Sequence, residues 1–425
     1  MMEIRVPYGQ GWVTVNCPDE NLAGVIYPHE SLWREEPEIV REALAHPLAA
    51  KTLDAFLVDG EETLVIVNDA TRPTPTARIL AYLADELDGH PVKFLVATGS
   101  HRPPTPEEFQ GIFGPWFERF QKDIFVHDAH MTSAMVPLGA TSRGTPLAIN
   151  RLAFEARKIV AISSVEPHYF AGHTGGRKSF FPGVAAYETI EHNHRLALQP
   201  AAAPLALQGN PVHEDLVEAM AYLEGEKIYS LQVVLNRDHR ICAAFCGALA
   251  ESFMTAADKA HDIFAVKVGR PADVVVTVAS SPLDIDFYQA HKAIEHGRLA
   301  LKEGGILIFV AQCPRGIGND RFYRLLSRAS GPEDVCALIA DSYQLGDHKA
   351  AKIAALAREF RIWGVTDLDP AIVERAFIEP VADLQEALQT AIAAQGPRAQ
   401  CLFLMNASML VPIINMNHEF HYKYK

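Results

Sequence analysis

The chain has 425 residues, 49% hydrophobic and 21% charged, so its composition excludes an intrinsically disordered protein and predicts two domains. Its 38 basic and 52 acidic residues give a net charge of −14, which argues against nucleic acid and anionic membranes as partners, because both carry the same sign. Six scattered cysteines, the absence of an apolar leader and the absence of any apolar run of about eighteen residues favour a cytoplasmic protein without a disulfide framework or a membrane span.

The first part of the chain predicts a hairpin followed by alternating strands and helices. Residues Ile4 to Val15 alternate around two glycines, which is typical of a hairpin, and a helix is expected near residues 36–45. A helix is also expected at Ala77–Leu87. Buried strands are predicted at Thr63–Val67, Val92–Ala97, Ile124–Val126 and Lys158–Ser163. This alternation indicates a parallel sheet with helices on its faces.

The second part begins with another hairpin and then returns to the same alternation. The hairpin is predicted over residues 228–246, and a helix follows at Leu249–Val266. Further strands are expected at Ala272–Ala279, Gly305–Ala311 and Ala399–Met405. A Gly-Arg-Pro stretch at 269–271 places the boundary near residue 268. We therefore predict an α/β fold with two domains, 1–268 and 269–425, whose mostly parallel sheets are flanked by helices.

Ligands of open α/β sheets bind beyond the carboxyl ends of the strands, so the loops at those ends are the candidate site. After the Thr63–Val67 strand, Arg72 offers a bidentate clamp for a carboxylate, and Thr74 is expected to cap a helix that opens with Pro75. A capped surface loop is an equally good interpretation. After the Ile124–Val126 strand, His127 and His130 are more typical of a solvated loop than of metal ligands.

The segment from Glu166 to His194 is the richest in reactive groups. Its glycines, Gly172, Gly175 and Gly176, let the backbone approach a ligand closely, and the amine of Lys178 follows them. Imidazoles surround that amine at His168, His173, His192 and His194. The loop is not a P-loop, because Arg177 stands where that motif requires a glycine, although a looser phosphate-binding role for the Gly175 and Gly176 amides stays open.

A third candidate group opens a helix in the second domain. Tyr288 and Lys292 are four residues apart and share a helix face, and Gln289 lies beside them. The three side chains offer a hydroxyl, an amide and an ammonium. By itself the pattern is more typical of an ordinary amphipathic helix than of a binding site.

In this order and spacing, the motifs at 69–73, 98–103, 167–178, 193–194 and 288–292 resemble the nickel-dependent lactate racemase family. The resemblance implies a two-domain α/β protein with its site in the interdomain cleft. It also implies a nickel-pincer nucleotide, a pyridinium mononucleotide whose two sulfur arms and one ring carbon hold Ni(II). Such a nickel centre is compatible with soft sulfur ligands and one imidazole.

The resemblance also assigns roles to residues. Lys178 would be joined to the cofactor through a thioamide, with Arg177 lowering the pKa of its amine, and His194, expected before a helix that begins R-L-A-L, would be the fourth nickel ligand. The remaining roles are an acid–base pair (His101, His168), substrate binding (Arg72, Tyr288, Gln289, Lys292) and cofactor binding (Asp69, Gly175, Gly176). His173 departs from the family pattern, which has an aromatic side chain there.

The activity implied is racemisation of lactate or a related short 2-hydroxy acid. The Cα hydrogen would leave as a hydride to the cofactor, through a 2-keto acid, while an imidazole takes the hydroxyl proton. Cofactor-synthesis enzymes would be transient partners, and the sequence leaves the oligomeric state open. Two alternatives are a racemase or epimerase of a larger 2-hydroxy acid, such as malate, an aryl lactate or an aldonate, and a non-catalytic nucleotide- or metal-binding protein.

Overall fold

The computed structural model describes residues 1–29, 34–57, 60–223 and 225–414, and the chain divides into two compact units. The middle unit is Glu30–Ile263, and the outer unit combines Met1–His29 with Phe264–Lys425. The expected division at residue 268 therefore differs at the amino terminus, whose first residues join the second unit. The reason is strand pairing, since Leu22–Ile26 lies parallel to Cys401–Leu404, a long-range contact that local sequence patterns do not reveal.

The strands are β1 (Met2–Tyr8), β2 (Gly11–Cys17), β3 (Leu22–Ile26), β4 (Thr63–Asn68), β5 (Val92–Ala97), β6 (Ile124–Val126), β7 (Met135–Ala140), β8 (Pro146–Asn150), β9 (Lys158–Ser164), β10 (Pro167–His168), β11 (Gly172–His173), β12 (Ile228–Leu235), β13 (Ile241–Gly247), β14 (Ala265–Val268), β15 (Ala272–Val278), β16 (Leu301–Val310), β17 (Arg361–Val365), β18 (Glu379–Pro380), β19 (Cys401–Leu404) and β20 (Val411–Ile414).

The α-helices are α1 (Glu36–Ala45), α2 (Leu53–Leu57), α3 (Thr76–Tyr82), α4 (Ala84–Leu87), α5 (Pro106–Phe113), α6 (Trp116–Phe120), α7 (Arg151–Glu155), α8 (Tyr187–Arg195), α9 (Pro211–Met220), α10 (Leu249–Phe264), α11 (Phe287–Ala290), α12 (Lys292–Gly297), α13 (Asp320–Arg328), α14 (Pro332–Asp341), α15 (Asp347–Glu359), α16 (Pro370–Arg375) and α17 (Leu384–Gln395). None of them, in the part of the chain that the structure describes, has both the length and the apolar composition that a membrane crossing requires.

The middle unit is built on a six-stranded sheet with the order β13-β12-β9-β4-β5-β6. All neighbouring strands are parallel except β13, which pairs antiparallel with β12 as the predicted hairpin. Every residue of β9 and β12 is buried, as expected for central strands covered on both faces. The sheet residues Val65 and Val160 pack in one core with Ile79 of α3 and Phe113 of α5. The predicted α/β architecture is confirmed.

The outer unit has its own six-stranded sheet, with the order β18-β17-β16-β15-β19-β3, and all its strand pairs are parallel. Successive residues of β16 enter different cores, Ile306 and Ile308 in one and Leu307 and Phe309 in the other. Side chains alternate between the two faces of a strand, so the sheet separates these cores. The β1–β2 hairpin and α17 cover the face that carries Ile306 and Ile308.

The predicted helix after β4 differs from the sequence prediction in two ways. The expected helix at Ala77–Leu87 is split into α3 and α4 at Leu83. The predicted cap by Thr74 is wrong, because Pro75 occupies the cap position. The hydroxyl of Thr74 instead donates to Asn68 Oδ1 at 2.8 Å and lies 2.7 Å from the Ser164 hydroxyl, so it links the ends of β4 and β9. Tertiary partners have taken the place of the local helix cap.

Because the β1–β2 hairpin belongs to the outer unit, a cavity in it should destabilise residues far away in sequence. Ile4 is 4% exposed and packs in the core of β15 and β16, so Ile4→Ala should lower the free energy of unfolding by about 2–5 kcal/mol. Urea unfolding, monitored by hydrogen exchange of the β15 amides, measures this loss. Glu3→Ala, on the exposed face of the same strand, is the control, and equal protection of β15 in the two variants would contradict the packing described.

Candidate active site

A cleft lies at the carboxyl ends of β4, β5 and β9 in the middle unit, where a parallel sheet is expected to bind its ligand. The empty space within it, including the part open to solvent, is about 650 Å³. Most of the predicted site residues of this unit line it: Asp69, Arg72, His101, His168, Gly175, Lys178 and His194. Gly176, the other predicted residue of this unit, lies next to Gly175 in the turn behind the cleft. The fold therefore brings together side chains that are up to 125 positions apart in the sequence.

Asp69 and His101 form a hydrogen-bonded pair at the edge of the cleft. Asp69 Oδ2 lies 2.8 Å from His101 Nδ1, and Oδ1 accepts the Thr71 hydroxyl at 2.7 Å. Burial acts to raise the pKa of Asp69, but the hydrogen bonds from His101 and Thr71 and the charge of Arg72 outweigh it and lower that pKa. An ionised Asp69 holds the Nδ1 proton of His101 and leaves Nε2 to exchange protons. The sequence assigned Asp69 to the cofactor and missed this role.

His168 lies in the same cleft in an aromatic setting. Its ring stacks on Tyr169 and meets the edge of Phe170, with a centroid distance of 4.5 Å to the latter. The Ala171 amide donates to His168 Nδ1 at 3.3 Å. Phe170 also borders His194, at 5.1 Å between centroids, and the Lys178 ammonium, at 5.5 Å. This buried ring, which the sequence did not single out, is thus a common neighbour of three predicted site residues.

The glycine turn that precedes Lys178 requires its glycines. Gly175 and Gly176 have φ angles of 78° and 55°, which other residues adopt with strain. A Cβ at Gly176 would lie 2.6 Å from the Phe253 ring, and one at Gly175 would lie 2.8 Å from Gln232 Oε1. Gln232 is fully buried and accepts the Gly176 amide at 2.9 Å. The turn thereby fixes the start of the short helix that carries Lys178.

Arg177 makes buried contacts that the sequence did not predict. Its guanidinium donates to the carbonyl oxygens of Ala171 and His173 and lies 4.3 Å from the centroid of the Phe253 ring. It is absent from the cleft lining, whereas Lys178 is present there. Arg177 therefore braces the loop from behind.

His194 lies in the last turn of α8, so the expectation that it precedes a helix is wrong. Its neighbour Asn193 anchors that turn by donating to Asp215 Oδ2 at 2.8 Å and to the Val212 carbonyl. Burial, and then the charges of Lys178, Arg72 and His101, lower the pKa of His194 to about 3. The imidazole is therefore neutral near pH 7, which is the form that binds a metal.

These features fit a bound group that brings most of the metal's ligands with it. Among the residues that the structure describes, no three His, Cys, Asp or Glu side chains gather as a metal site. A neutral imidazole on one helix and a buried amine on a glycine turn both face the same cleft. The donor set suits one protein ligand and one covalent anchor, and it does not suit a metal ion held by the protein alone.

Two other histidines lie outside the cleft. His173 is 2% exposed, and burial, with the charges of Arg177 and His261, lowers its pKa to about 3. It does not line the cleft. The expectation that His127 lies in a solvated loop is wrong, since it is 1% exposed and its Nε2 lies 2.9 Å from the Ala185 carbonyl oxygen. His127 links two loops of the fold.

The predicted substrate residues of the outer unit lie at the junction of α11 and α12. Asp286 caps α11 by accepting the Gln289 amide at 2.8 Å. The predicted single helix is interrupted at His291, and Lys292 Nζ donates to Gln289 Oε1 at 3.2 Å. Gln289 and Lys292 are thus hydrogen-bonded to each other, and Tyr288 precedes Gln289 in α11.

Known proteins match nearly the whole chain. A model described as the lactate racemase N-terminal domain matches residues 8–204, and one described as the lactate racemase C-terminal domain matches residues 267–411. The lactate racemase of Thermoanaerobacterium thermosaccharolyticum is 34% identical over 407 residues, covering 92% of this chain and 94% of the relative. The lactate racemase of Lactiplantibacillus plantarum is 30% identical over 414 residues, covering 94% of this chain and 97% of the relative.

Solved structures agree with these matches. The lactate racemase apoprotein from Thermoanaerobacterium thermosaccharolyticum aligns with a TM-score of 0.90 at 31% identity, covering 97% of this chain and 100% of that chain. A Thermotoga maritima protein aligns with a TM-score of 0.67 at 17% identity, covering 90% and 100%, and shows the fold alone.

The buried imidazole of His173 predicts a stability that depends on pH. Its pKa is about 3 when folded, against about 6.5 in an unfolded chain, so the unfolded state binds more protons as the pH falls below 6.5. His173→Phe should remove this term and reduce the stability lost between pH 7 and pH 5.5 by about 1 kcal/mol. Urea unfolding of both proteins at each pH tests this, and an equal loss in both would show that His173 is not titrating.

Proposed function

Because this chain belongs to the lactate racemase family, we propose that it is a racemase that interconverts the enantiomers of lactate or a related short 2-hydroxy acid. The observation that carries the proposal is the presence of two imidazoles, His101 and His168, in the same cleft as a buried amine and a neutral histidine. A protein that only binds a nucleotide or a metal needs no acid–base pair.

Racemisation needs proton transfer on either enantiomer. The two hydroxyl groups lie in different directions when the carboxylate of each enantiomer is held in the same place, so one base does not reach both. We assign one imidazole to each enantiomer. His101 takes the hydroxyl proton on Nε2, because the 2.8 Å contact with Asp69 holds the proton on Nδ1 and stabilises the imidazolium that forms.

His168 serves the opposite enantiomer. In the structure its Nδ1 accepts the Ala171 amide, which places the ring proton of the neutral form on Nε2. Taking up a proton from the substrate therefore requires that this weak 3.3 Å contact be released. The two imidazoles are not equivalent, and His101 is the better prepared base.

The cofactor anchor is Lys178, and His194 is the metal ligand. The glycine turn places the amine in the cleft, and burial keeps the imidazole neutral. A nickel-pincer nucleotide bound there would accept the Cα hydrogen as a hydride and return it to the other face. The protein's part is to hold this group, to orient the substrate and to move the hydroxyl proton.

Cationic side chains must bind the substrate, because it is an anion and the net charge of the chain, −14, repels anions. Arg72 lines the cleft and offers a planar fork that matches a carboxylate. Tyr288, Gln289 and Lys292 of the outer unit supply a hydroxyl, an amide and an ammonium. We assign these four residues to holding the 2-hydroxy acid.

The proposal is tested by incubating protein co-produced with the cofactor-synthesis enzymes with single enantiomers of lactate, malate, an aryl lactate and an aldonate. Chiral chromatography should show inversion of lactate or another short acid. Lactate carrying deuterium at Cα should keep its label in ordinary water, because a hydride does not exchange with solvent. Inversion of only the larger acids would reassign the substrate, and no inversion in a fully loaded protein would reject racemase activity.

Because Asp69 and His101 are hydrogen-bonded, we expect substitutions of either residue to lower turnover through the same loss. His101→Ala should lower kcat by about 10²–10⁴-fold, the usual loss of a general base, and Asp69→Asn should lower it comparably because the imidazole loses its orientation. Combining the two should cost little more than either alone. Thr71→Val removes the hydroxyl contacts to Asp69 Oδ1 and His101 Nδ1 but leaves the Asp69–His101 bond, so it should cost much less. Additive losses in the double variant would show that Asp69 acts independently of His101.

Substitution of Lys178 should remove the covalent adduct, whereas substitution of His194 should remove the nickel. Intact-mass spectrometry of the co-produced protein should show an adduct that maps to Lys178 and is missing from Lys178→Ala. His194→Ala should keep the fold and lose nickel, as measured by elemental analysis. His192→Ala is the control, since His192 is exposed on the same helix and should leave the nickel content unchanged. Full activity with an unmodified Lys178 would contradict the proposed anchor.

A further inference from the structure

A buried lysine holds Tyr288 in two ways at once. Lys349 belongs to α15 and is 7% exposed. Its Nζ lies 3.2 Å from the centroid of the Tyr288 ring and donates to the Tyr288 carbonyl oxygen at 2.9 Å. One ammonium therefore contacts both the side chain and the backbone of the same residue. An ammonium on an aromatic face is strongly attracted when water is excluded, so this contact restrains the ring.

The loop before α15 lies beside the hydroxyl of the same tyrosine. Gly346 has a φ of 101°, and a Cβ built there would lie 3.6 Å from the Tyr288 hydroxyl. The next residue, Asp347, is 1% exposed and accepts Arg321 Nε at 3.1 Å and Nη2 at 3.0 Å. It also accepts the Gln344 amide at 2.8 Å. An ion pair whose carboxylate is buried thus fixes the loop next to Tyr288.

We infer that Lys349 is a positioning residue for substrate recognition, which acts through Tyr288 and does not touch the substrate. The inference rests on the proposed role of Tyr288, Gln289 and Lys292 in binding a 2-hydroxy acid. Lys349 is buried beneath the tyrosine, and the carbonyl that it holds belongs to the residue before Gln289. This carbonyl belongs to the peptide group that links Tyr288 to Gln289, so a shift of it moves Gln289. The side chain of Gln289 accepts the Lys292 ammonium, so Lys292 moves as well.

The inference predicts a change in substrate affinity more than in the chemical step. In the loaded enzyme, Lys349→Met should raise KM for the inverted 2-hydroxy acid by about tenfold, because Tyr288 would then become ordered only when substrate binds, and should change kcat much less. Lys349→Arg should recover part of this loss, since a guanidinium also binds an aromatic face. Lys302→Met is the matched control, because Lys302 is an exposed lysine of the same unit and is paired with Asp273.

A double-mutant cycle with Tyr288→Leu separates positioning from general stability. If Lys349 acts through Tyr288, Lys349→Met should add little to the KM of Tyr288→Leu. Additive effects, or a wild-type KM in folded Lys349→Met, would overturn the inference. Lys349→Gln, which keeps a hydrogen-bond donor, serves the same comparison if Lys349→Met does not fold.

The same cycle distinguishes this inference from the function on which it rests. A Tyr288→Leu enzyme with raised KM beside a normal Lys349→Met enzyme would reject the positioning role alone. Normal kinetics in Tyr288→Leu would reject the substrate role of Tyr288, and with it the role of Lys349. Absence of inversion in the loaded wild-type protein would reject the proposed function itself.

Discussion

The site depends on one buried hydrogen bond, from the Gly176 amide to Gln232 Oε1. Gln232 lies on β12, a fully buried interior strand of the sheet, and its side-chain amide joins the glycine turn to that strand. An unpaired amide at this depth would be costly, so the contact fixes where the turn lies. Lys178 follows two residues later. The position of a reactive amine is thus set by a glutamine that never reaches the cleft.

Neighbouring side chains also set the properties of the imidazoles. Asp69 holds one nitrogen of His101, and Phe170 provides an apolar wall for His168, Lys178 and His194. A carboxylate favours a charged imidazole, whereas burial disfavours one. The cleft therefore combines His101, which is hydrogen-bonded to a carboxylate, with His194, whose pKa burial lowers so that the ring stays neutral near pH 7. Environment, more than residue type, separates the two roles.

Residues that do not line the site hold its side chains in place. Arg177 and Phe253 brace the glycine turn, and Lys349 braces Tyr288 in the other unit. In each case a cation lies on an aromatic ring at a buried position. Such contacts restrain both partners without requiring an acid nearby. They also hold the residues that face the ligand in a single arrangement before it binds, which reduces the cost of binding.

The sequence by itself determined the fold class, the strands around the cleft and the set of candidate residues, because apolar runs, glycines and short motifs are local signals. It could not predict that residues 1–29 join the outer unit, since that depends on the pairing of β3 with β19. It also missed Gln232, Phe170 and Lys349, which look like ordinary strand, loop and helix residues. Their roles arise only when the folded chain places them against the glycine turn, the imidazoles and Tyr288, because a contact between distant residues leaves no local pattern.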